Sequence, residues 1–486
     1  MTESRFHPER LLVAGVLLLL VWLPLPLGSN RDWSAAFLIL STCALAAGWA
    51  LLRFHQKASP STSLRKAMLP LALLGATQVW VLIQWLTGIS QDVGSTFRYL
   101  LMGIAYSLLY LLVVDLFRTR RRLSILLGVL VASGVFQAFY GTIMTLTGIE
   151  WLLLEEKSFH ISHATGTFVN RNHLAGYLEL TLGCGIGLLL ALRGEGRFRW
   201  AAVFDTLIGP KMRLRLGLVI MVIALVMSHS RMGNTAFFSS LLIIGGLFVL
   251  IDRQNRLRNG LILASILLID ILVISQYFGL DQLRERIVNT RMAEVVVDGQ
   301  VVERANEFRG IVFADAWPLA LDRPLVGQGA GSFEAVFPAH AGLDVPLHYD
   351  HAHNDFLQFL IEYGALGSLP LVAFVILSFG LAIRAMLERK SLYRSGLGFG
   401  MALAILSLMI HSFTDFNLQI PSNAATFVVV CAVALLANYH RVGAGRRGEP
   451  SVGFRRDPAR RDEAIAEELR TPVRELVSAD GNHPAR

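Results

Sequence analysis

Long apolar runs recur along almost the whole chain, interrupted by short polar links. Twelve of them read as helical spans, at residues 11–28, 34–52, 67–87, 99–117, 123–147, 174–192, 214–229, 235–251, 259–276, 355–383, 395–411 and 422–440. A bilayer core about 30 Å thick is crossed by about 20 residues rising 1.5 Å each, so these lengths fit, with 214–229 the shortest. A membrane barrel would instead show brief segments of alternating polarity. The pattern therefore predicts an all-α polytopic integral membrane protein with about 12 transmembrane helices.

One interruption is far longer than the rest. Residues 277–354 exceed the roughly 12–15 residues beyond which a structureless connection is uncommon in a compact domain. Inside this loop Phe308, Val312, Ala316 and Leu319 recur at helical spacing. Pro324, Gly327, Gly329 and Gly331 follow, and are expected to end that helix in a turn. The expected organisation is a transmembrane bundle over 1–276 holding spans one to nine, a loop subdomain of short helices over 277–354, spans ten to twelve over 355–440, and a polar tail over 441–486. Within the tail "RDEAIAEELRTPVREL" fits either an amphipathic surface helix or a solvated segment.

Composition agrees: 54% of residues are hydrophobic and 16% charged, with mean hydropathy +0.53, against about 25% charged in an average soluble domain. Charge also sets the orientation, because Lys and Arg collect in cytoplasmic loops. With both termini inside, the cytoplasmic segments hold 33 of the 44 Lys and Arg and the opposite side 11. The net charge of +8 thereby has a membrane explanation, with no basic stripe interleaved with aromatics to suggest nucleic acid. Cys43, Cys184 and Cys431 all fall inside spans, where they are expected to be small core residues rather than disulfide partners or zinc ligands. No Walker, Rossmann or HExxH signature occurs.

Polar residues mark the candidate chemistry. Glu179 and Asp270 lie within spans, where a charge is costly; each would line a watery cavity or make a helix-to-helix hydrogen bond. Arg231, in the tight outward link "SHSRMGN", runs against the positive-inside trend; it suits a phosphate, or snorkels to headgroups. Arg304 and Arg309 lie in the long loop, interleaved with Glu303 and Glu307. Asn170, Arg171, Asn172 and His173 lead directly into a span: one Asn caps the helix, while four polar residues in a row suit a sugar or a diphosphate. The densest cluster is "HYDHAHND", from His348 to Asp355. It fits a catalytic base with supports, a polar turn, or a metal site built on His348, Asp350 and His351.

The stretch "HAHNDFLQFLIEYGALG", with His353, Asn354, Gly364 and Gly367, resembles the signature of the O-antigen ligase and polymerase superfamily. So do "SRMGNTAF" around Arg231, "GTFVNRNHLAGYL", and the segment that starts at Arg309. The resemblance implies a GT-C-like membrane glycosyltransferase at the periplasmic face of a bacterial inner membrane, inverting and independent of metal or other cofactor. It implies an undecaprenyl diphosphate-linked glycan as donor. The acceptor would be a glycan or lipid A core sugar, or in one branch a protein hydroxyl, and polysaccharide assembly proteins are candidate partners. By motif position His353 is the base, Arg231 and Arg309 clamp the diphosphate, and Arg304 is a weaker third. Asn354 or Asp355 would hold the imidazole, with His351, Asn170, Asn172 and His173 in support. A transporter or flippase for a lipid-linked sugar is the rival reading, with the histidines as a proton relay.

Overall fold

The computed structural model describes residues 8–153, 155–192, 210–251, 256, 260, 295–297, 300–302, 308–342, 348–388 and 390–440, without side-chain detail at 210–211, 295–302 and 308–311. In chain order the helices are α1 (Pro8–Trp22), α2 (Asp32–His55), α3 (Thr62–Lys66), α4 (Met68–Leu86), α5 (Val93–Leu116), α6 (Arg120–Thr147) and α7 (Arg171–Ala191). After these come α8 (Pro210–Met227), α9 (Arg231–Ile251), α10 (Phe308–Asp322), α11 (Phe333–Val336), α12 (Asp355–Met386), α13 (Leu392–His411) and α14 (Pro421–Tyr439). Among the described residues nine helices are long and apolar enough to cross a membrane: α2, α4, α5, α6, α7, α9, α12, α13 and α14. The protein is an all-α polytopic membrane protein. The expected first and seventh spans are the shorter helices α1 and α8. Apart from residue 260, the expected span 259–276, with Asp270, lies outside the described residues, as does the 441–486 tail.

Helix starts follow capping chemistry. Ser61, Asp92, Thr119, Asn170, Asn354 and Ser391 each accept a hydrogen bond from a first-turn backbone N–H, satisfying a donor that the helix itself leaves open. Helices α7 and α14 are buried along nearly their whole length. Helices α2, α4 and α12 turn apolar faces outward, with Leu40, Phe54, Leu69, Val79, Leu369 and Ile376 all more than half exposed, as lipid-facing helices do. Cys184 and Cys431 are buried as expected, but Cys43 is exposed on that outer face of α2. Hydropathy marks a residue as inside a span without saying whether it faces protein or lipid. Glycines bring α7 and α13 into backbone contact: a Cβ on Gly183 would lie 2.7 Å from the Gly400 carbonyl oxygen, a small-residue interface typical of membrane helices.

The long loop contains more than short helices. Helix α10 buries Val312, Ala316 and Leu319 against Phe333, Phe337, Leu357 and Ile361, the periodicity expected from sequence. Two three-residue strands, Val295–Val297 and Gln300–Val302, also pair antiparallel with Val296 opposite Val301; the expectation of helices alone is corrected there.

The break in α12 organises the loop. Gly364 adopts φ 59° inside the helix, so the backbone ladder is interrupted. The turn after α10 fills the gap, with Gly327, Gly329 and Gly331 all at positive φ. The N–H groups of Gln328 and Gly329 donate to the carbonyls of Ile361 (2.8 Å) and Glu362 (2.9 Å), and those of Ala365 and Leu366 to Pro324 (2.8 Å) and Leu325 (3.1 Å). Helix α4 adds side chains: Trp80 Nε1 donates to Tyr363 O at 2.8 Å, Thr77 Oγ1 to Gly367 O at 3.2 Å, and Gln84 Nε2 to the carbonyls of Val326 and Glu362 at 2.7 and 2.9 Å. Irregular backbone at membrane depth persists only where protein satisfies it. At the far end of α5, buried Asp115 accepts from Trp49 (2.8 Å), Ser61 (2.9 Å) and Arg118 (3.0 Å) and pairs with Arg53.

Candidate functional site

The helices alternate up and down, so the links before α2, α5, α7, α9, α12 and α14 gather at one end of the bundle. Hydrogen bonds stitch them together: Thr167 Oγ1 to Pro24 O (2.6 Å), Ala164 N to Met227 O (3.1 Å), Gln91 N to Gln328 O (2.8 Å) and Asp355 N to Ser412 O (2.9 Å). Nearly every candidate residue from the sequence lies at this end.

His353 is half-buried and adopts φ 50°, a left-handed conformation uncommon for a residue with a side chain. Its ring stands edge-on to Tyr349 and Phe416, with centroids 5.7 and 4.8 Å away. Phe416, 6% exposed, is the hub: the rings of His351 (4.3 Å) and His173 (4.7 Å) pack on it as well. The two proposed imidazole supports have other tasks. Asn354 Oδ1 caps α12 by accepting from Leu357 N at 3.1 Å. Asp355, wholly buried, accepts from Ser412 Oγ (2.8 Å), Leu418 N (3.1 Å) and Gln419 Nε2 (3.4 Å), and so fastens the α13–α14 turn that carries Phe416.

His351 hydrogen-bonds through Nδ1 to Gln358 Nε2 at 3.0 Å, with Asp350 Oδ2 3.9 Å from Nε2. The amide can only donate, so Nδ1 accepts and a neutral ring carries its proton on Nε2. Burial holds the His351 pKa below the ordinary histidine value, the Asp350 charge opposing this less strongly. Gln358 Nε2 also reaches Glu362 Oε1 at 3.0 Å, and Glu362 Oε2 accepts from Gly331 N at 2.9 Å. A relay along one face of α12 thus joins His351 to the glycine turn. His348 faces elsewhere, on Glu334 at 2.9 Å. Among the described residues no three His, Cys, Asp or Glu side chains come together as metal ligands.

The α7 start splits its polar residues among different tasks. Asn170 caps the helix through Asn172 N at 2.8 Å, while Asn172 Nδ2 donates to Asp415 Oδ2 at 2.6 Å. His173, 6% exposed, holds Nε2 3.6 Å from Asp415 Oδ1. Arg171 lies close enough to help keep His160 and His163 uncharged: burial first, then its positive charge, lowers both pKa values, that of His160 to about 4. Arg231 is exposed at the first position of α9. Arg309 lies in the first turn of α10 and its side chain is outside the described residues, as is the whole of Arg304.

Two cavities flank Asp350 and Asn30, which line both. The first, about 380 Å³, is polar at Arg98, His351, Gln358 and Glu362 and apolar at Met102, Phe374 and Phe427, which lie within the spanning helices. The second, about 310 Å³, is walled by the polar end, including Asn170, His173, Phe159 and Phe416. His353 touches Phe416 without lining either.

Sequence reasoning missed Asp415, Phe416, Gln358 and Glu362. The signal for the first pair was an acid in the short polar link "HSFTDFNLQ" between two apolar runs. For the second pair it was the four-residue spacing of amide and acid on one helical face. Glu179 makes the helix-to-helix contact: wholly buried, it accepts from Ser407 Oγ at 2.8 Å and meets His411 Nδ1 at 2.7 Å.

No curated protein matches the chain. Residues 216–372, which contain Arg231, Arg309, His353 and the Gly364–Gly367 pair, match the family model described as O-Antigen ligase. That segment, about a third of the chain, is similar to the O-antigen ligase family, and the match supports the resemblance carried by the His353–Gly367 motif.

Proposed function

We propose that the protein transfers a glycan from undecaprenyl diphosphate to a sugar hydroxyl, as polymerase or ligase in surface polysaccharide assembly, at the periplasmic face of a bacterial inner membrane with both termini cytoplasmic. The observation that carries this reading is His353. It is a half-buried imidazole in a strained backbone conformation, fixed between Tyr349 and Phe416 at the end of the bundle where the polar links meet. Strain of this kind concentrates at functional sites.

In the proposed step His353 takes the proton of the acceptor hydroxyl, whose oxygen attacks the anomeric carbon from the face opposite the leaving group. The bond from that carbon to the diphosphate oxygen breaks, its electron pair leaves with undecaprenyl diphosphate, and the anomeric configuration inverts. Imidazole suits the base because its pKa lies near the working pH. Arg231 and Arg309, with Arg304 behind them, would stabilise the charge on the departing diphosphate. This leaving group needs no metal in the reading.

The test is turnover of an undecaprenyl diphosphate glycan by the purified protein, wild type against His353→Ala, each with and without EDTA. Loss in the variant alone supports the base, and wild-type rates in the variant would remove it. Loss with EDTA moves the His348–Asp355 cluster to a metal site. Arg231→Lys should recover only part of what Arg231→Ala loses, because an ammonium cannot reproduce the guanidinium fork. No turnover with any acceptor would favour a carrier of lipid-linked sugars, to which the amphipathic 380 Å³ cavity is equally suited.

A further inference from the structure

The end of the bundle away from His353 holds two kinds of cation. Arg53 and Arg118 pair with buried Asp115, and Arg118 and Arg122 with Glu9. Lys66, the last residue of α3, and Arg384, in the last turn of α12, differ: both are exposed, and among the described residues neither is ion-paired.

These two charges converge on one side chain. Lys66 Nζ lies 5.8 Å and Arg384 Cζ 5.9 Å from the centre of the Tyr439 ring, and Arg384 Nη1 donates to the Tyr439 hydroxyl at 3.3 Å. The like charges therefore stand within about 12 Å of each other and repel, a cost that a shared anion reverses. The helix ends that carry them are fastened together. Ser63 Oγ of α3 donates to Tyr439 O at 3.0 Å, and Asn438 Nδ2 of α14 donates to Leu381 O of α12 at 2.8 Å, one turn before Arg384. The cations thus come from a joined framework rather than from free loops.

Their surroundings indicate the ligand. Met68 and Leu69 open α4 just after Lys66, and Leu387 follows the end of α12; they are 61%, 60% and 43% exposed. Bare apolar side chains beside charge, at the ends of spanning helices, mark the boundary of headgroups and acyl chains, where tyrosine also concentrates. Basic pockets between helices at that depth suit anionic headgroups. A soluble anion would engage the cations and leave the apolar residues bare, whereas a phospholipid engages both.

We infer that Lys66, Arg384 and Tyr439 form a binding site for the phosphate of an anionic phospholipid in the leaflet opposite His353, its acyl chains lying along the exposed residues of α4 and α12. The Tyr439 hydroxyl, accepting from Arg384, keeps its own proton to donate to the phosphate. The site is separate from the proposed transfer chemistry and does not depend on it.

The experiment titrates the full chain in detergent with phosphatidylglycerol and counts bound lipid by native mass spectrometry. Phosphatidylcholine and glycerol phosphate are the comparison probes. Wild type is expected to bind phosphatidylglycerol about ten-fold more tightly than either probe, and Lys66→Gln and Arg384→Gln should each weaken it about ten-fold, the worth of one charge-assisted contact. Arg65→Gln removes the same charge from the adjacent exposed residue and should change affinity by less than about two-fold. All three side chains are exposed, so the variants keep the fold, which their monodispersity checks. Equal loss in all three variants reduces the effect to bulk attraction between a basic surface and acidic lipid, and overturns the site. Wild-type affinity in both Lys66→Gln and Arg384→Gln also overturns it. Equal affinity for phosphatidylcholine removes the charge recognition, and glycerol phosphate binding as tightly as the lipid makes the ligand a soluble phosphate; either result overturns the proposal.

Discussion

Between His351 and Gly367 the chain passes from a region run by side chains to one run by backbone. At the first end three imidazoles share Phe416, His353 sits at φ 50°, and His173 Nε2 has no hydrogen bond. About three helical turns later the backbone opened by Gly364 is closed again by the 324–329 turn and by three side chains of α4. Both ends belong to one sequence motif and both depart from ordinary helix. One departure is held among aromatic and imidazole rings, and the other is sealed by hydrogen bonds. A spaced motif therefore does not delimit a site, since here half of it holds the scaffold that the other half needs.

The comparison is broken most directly by exchanging the outcomes. Gly327→Ala is expected to destabilise by about 2–5 kcal/mol, because a Cβ there meets the Glu362 carbonyl at a φ of 72°. The yield of monodisperse protein and its thermal midpoint would report this. Gly380→Ala, within α12 with open space around it, should be neutral or gain up to about 1 kcal/mol. His353→Ala should instead abolish transfer and move the midpoint by less than about 0.5 kcal/mol; a folding defect there would erase the distinction between the regions. Gln358 sits on the boundary, touching both His351 and Glu362. Gln358→Ala should show both effects in reduced form, about 1 kcal/mol of stability together with partial loss of turnover. Trp80→Phe, which loses the bond to Tyr363 O, should cost about 1 kcal/mol and leave the acceptor KM unchanged.

The smallest effect is set by pH. The pKa values of His160 and His163 are depressed, that of His160 to about 4. The unfolded chain, with histidine near 6.5, therefore binds protons first as pH falls. The stability linked to these rings is present above about pH 6.5 and is lost as pH drops through about 4. The thermal midpoint should fall between pH 7.5 and 5, and His160→Gln should flatten part of that slope.

Much of this was legible in the chain itself. The cap at Asn170, the buried face Val312–Ala316–Leu319 and the turn at Gly327, Gly329 and Gly331 follow from local rules, because each depends on residues a few positions apart; the cap at Asn354 obeys the same rule but was read as a support for the imidazole. Phe416 was not legible. Its partners arrive from two separate segments, the start of α7 and the link before α12, and nothing in "TDFNLQ" distinguishes a hub from a hairpin between spans. Glu362 was hidden for another reason: in sequence it is one acid inside a long apolar run, and its partners Gly331 and Phe333 belong to a loop. Cys43 shows the matching limit on the apolar side, where hydropathy finds the span and not the direction a residue faces.

The sealed break in α12 has a consequence for how the chain is made. Gln84 and Trp80 lie 278 and 283 residues before the carbonyls they engage, and the 324–329 turn also precedes α12 in the order of synthesis. By the time α12 leaves the ribosome every partner for its open backbone has already been delivered, but the sequence distances make their meeting slow. Closure over Gly364 is thus a late event in biogenesis, and until it happens the newborn helix carries bare peptide groups that hydrocarbon penalises. This is the interval in which an insertase or membrane chaperone would have most to do.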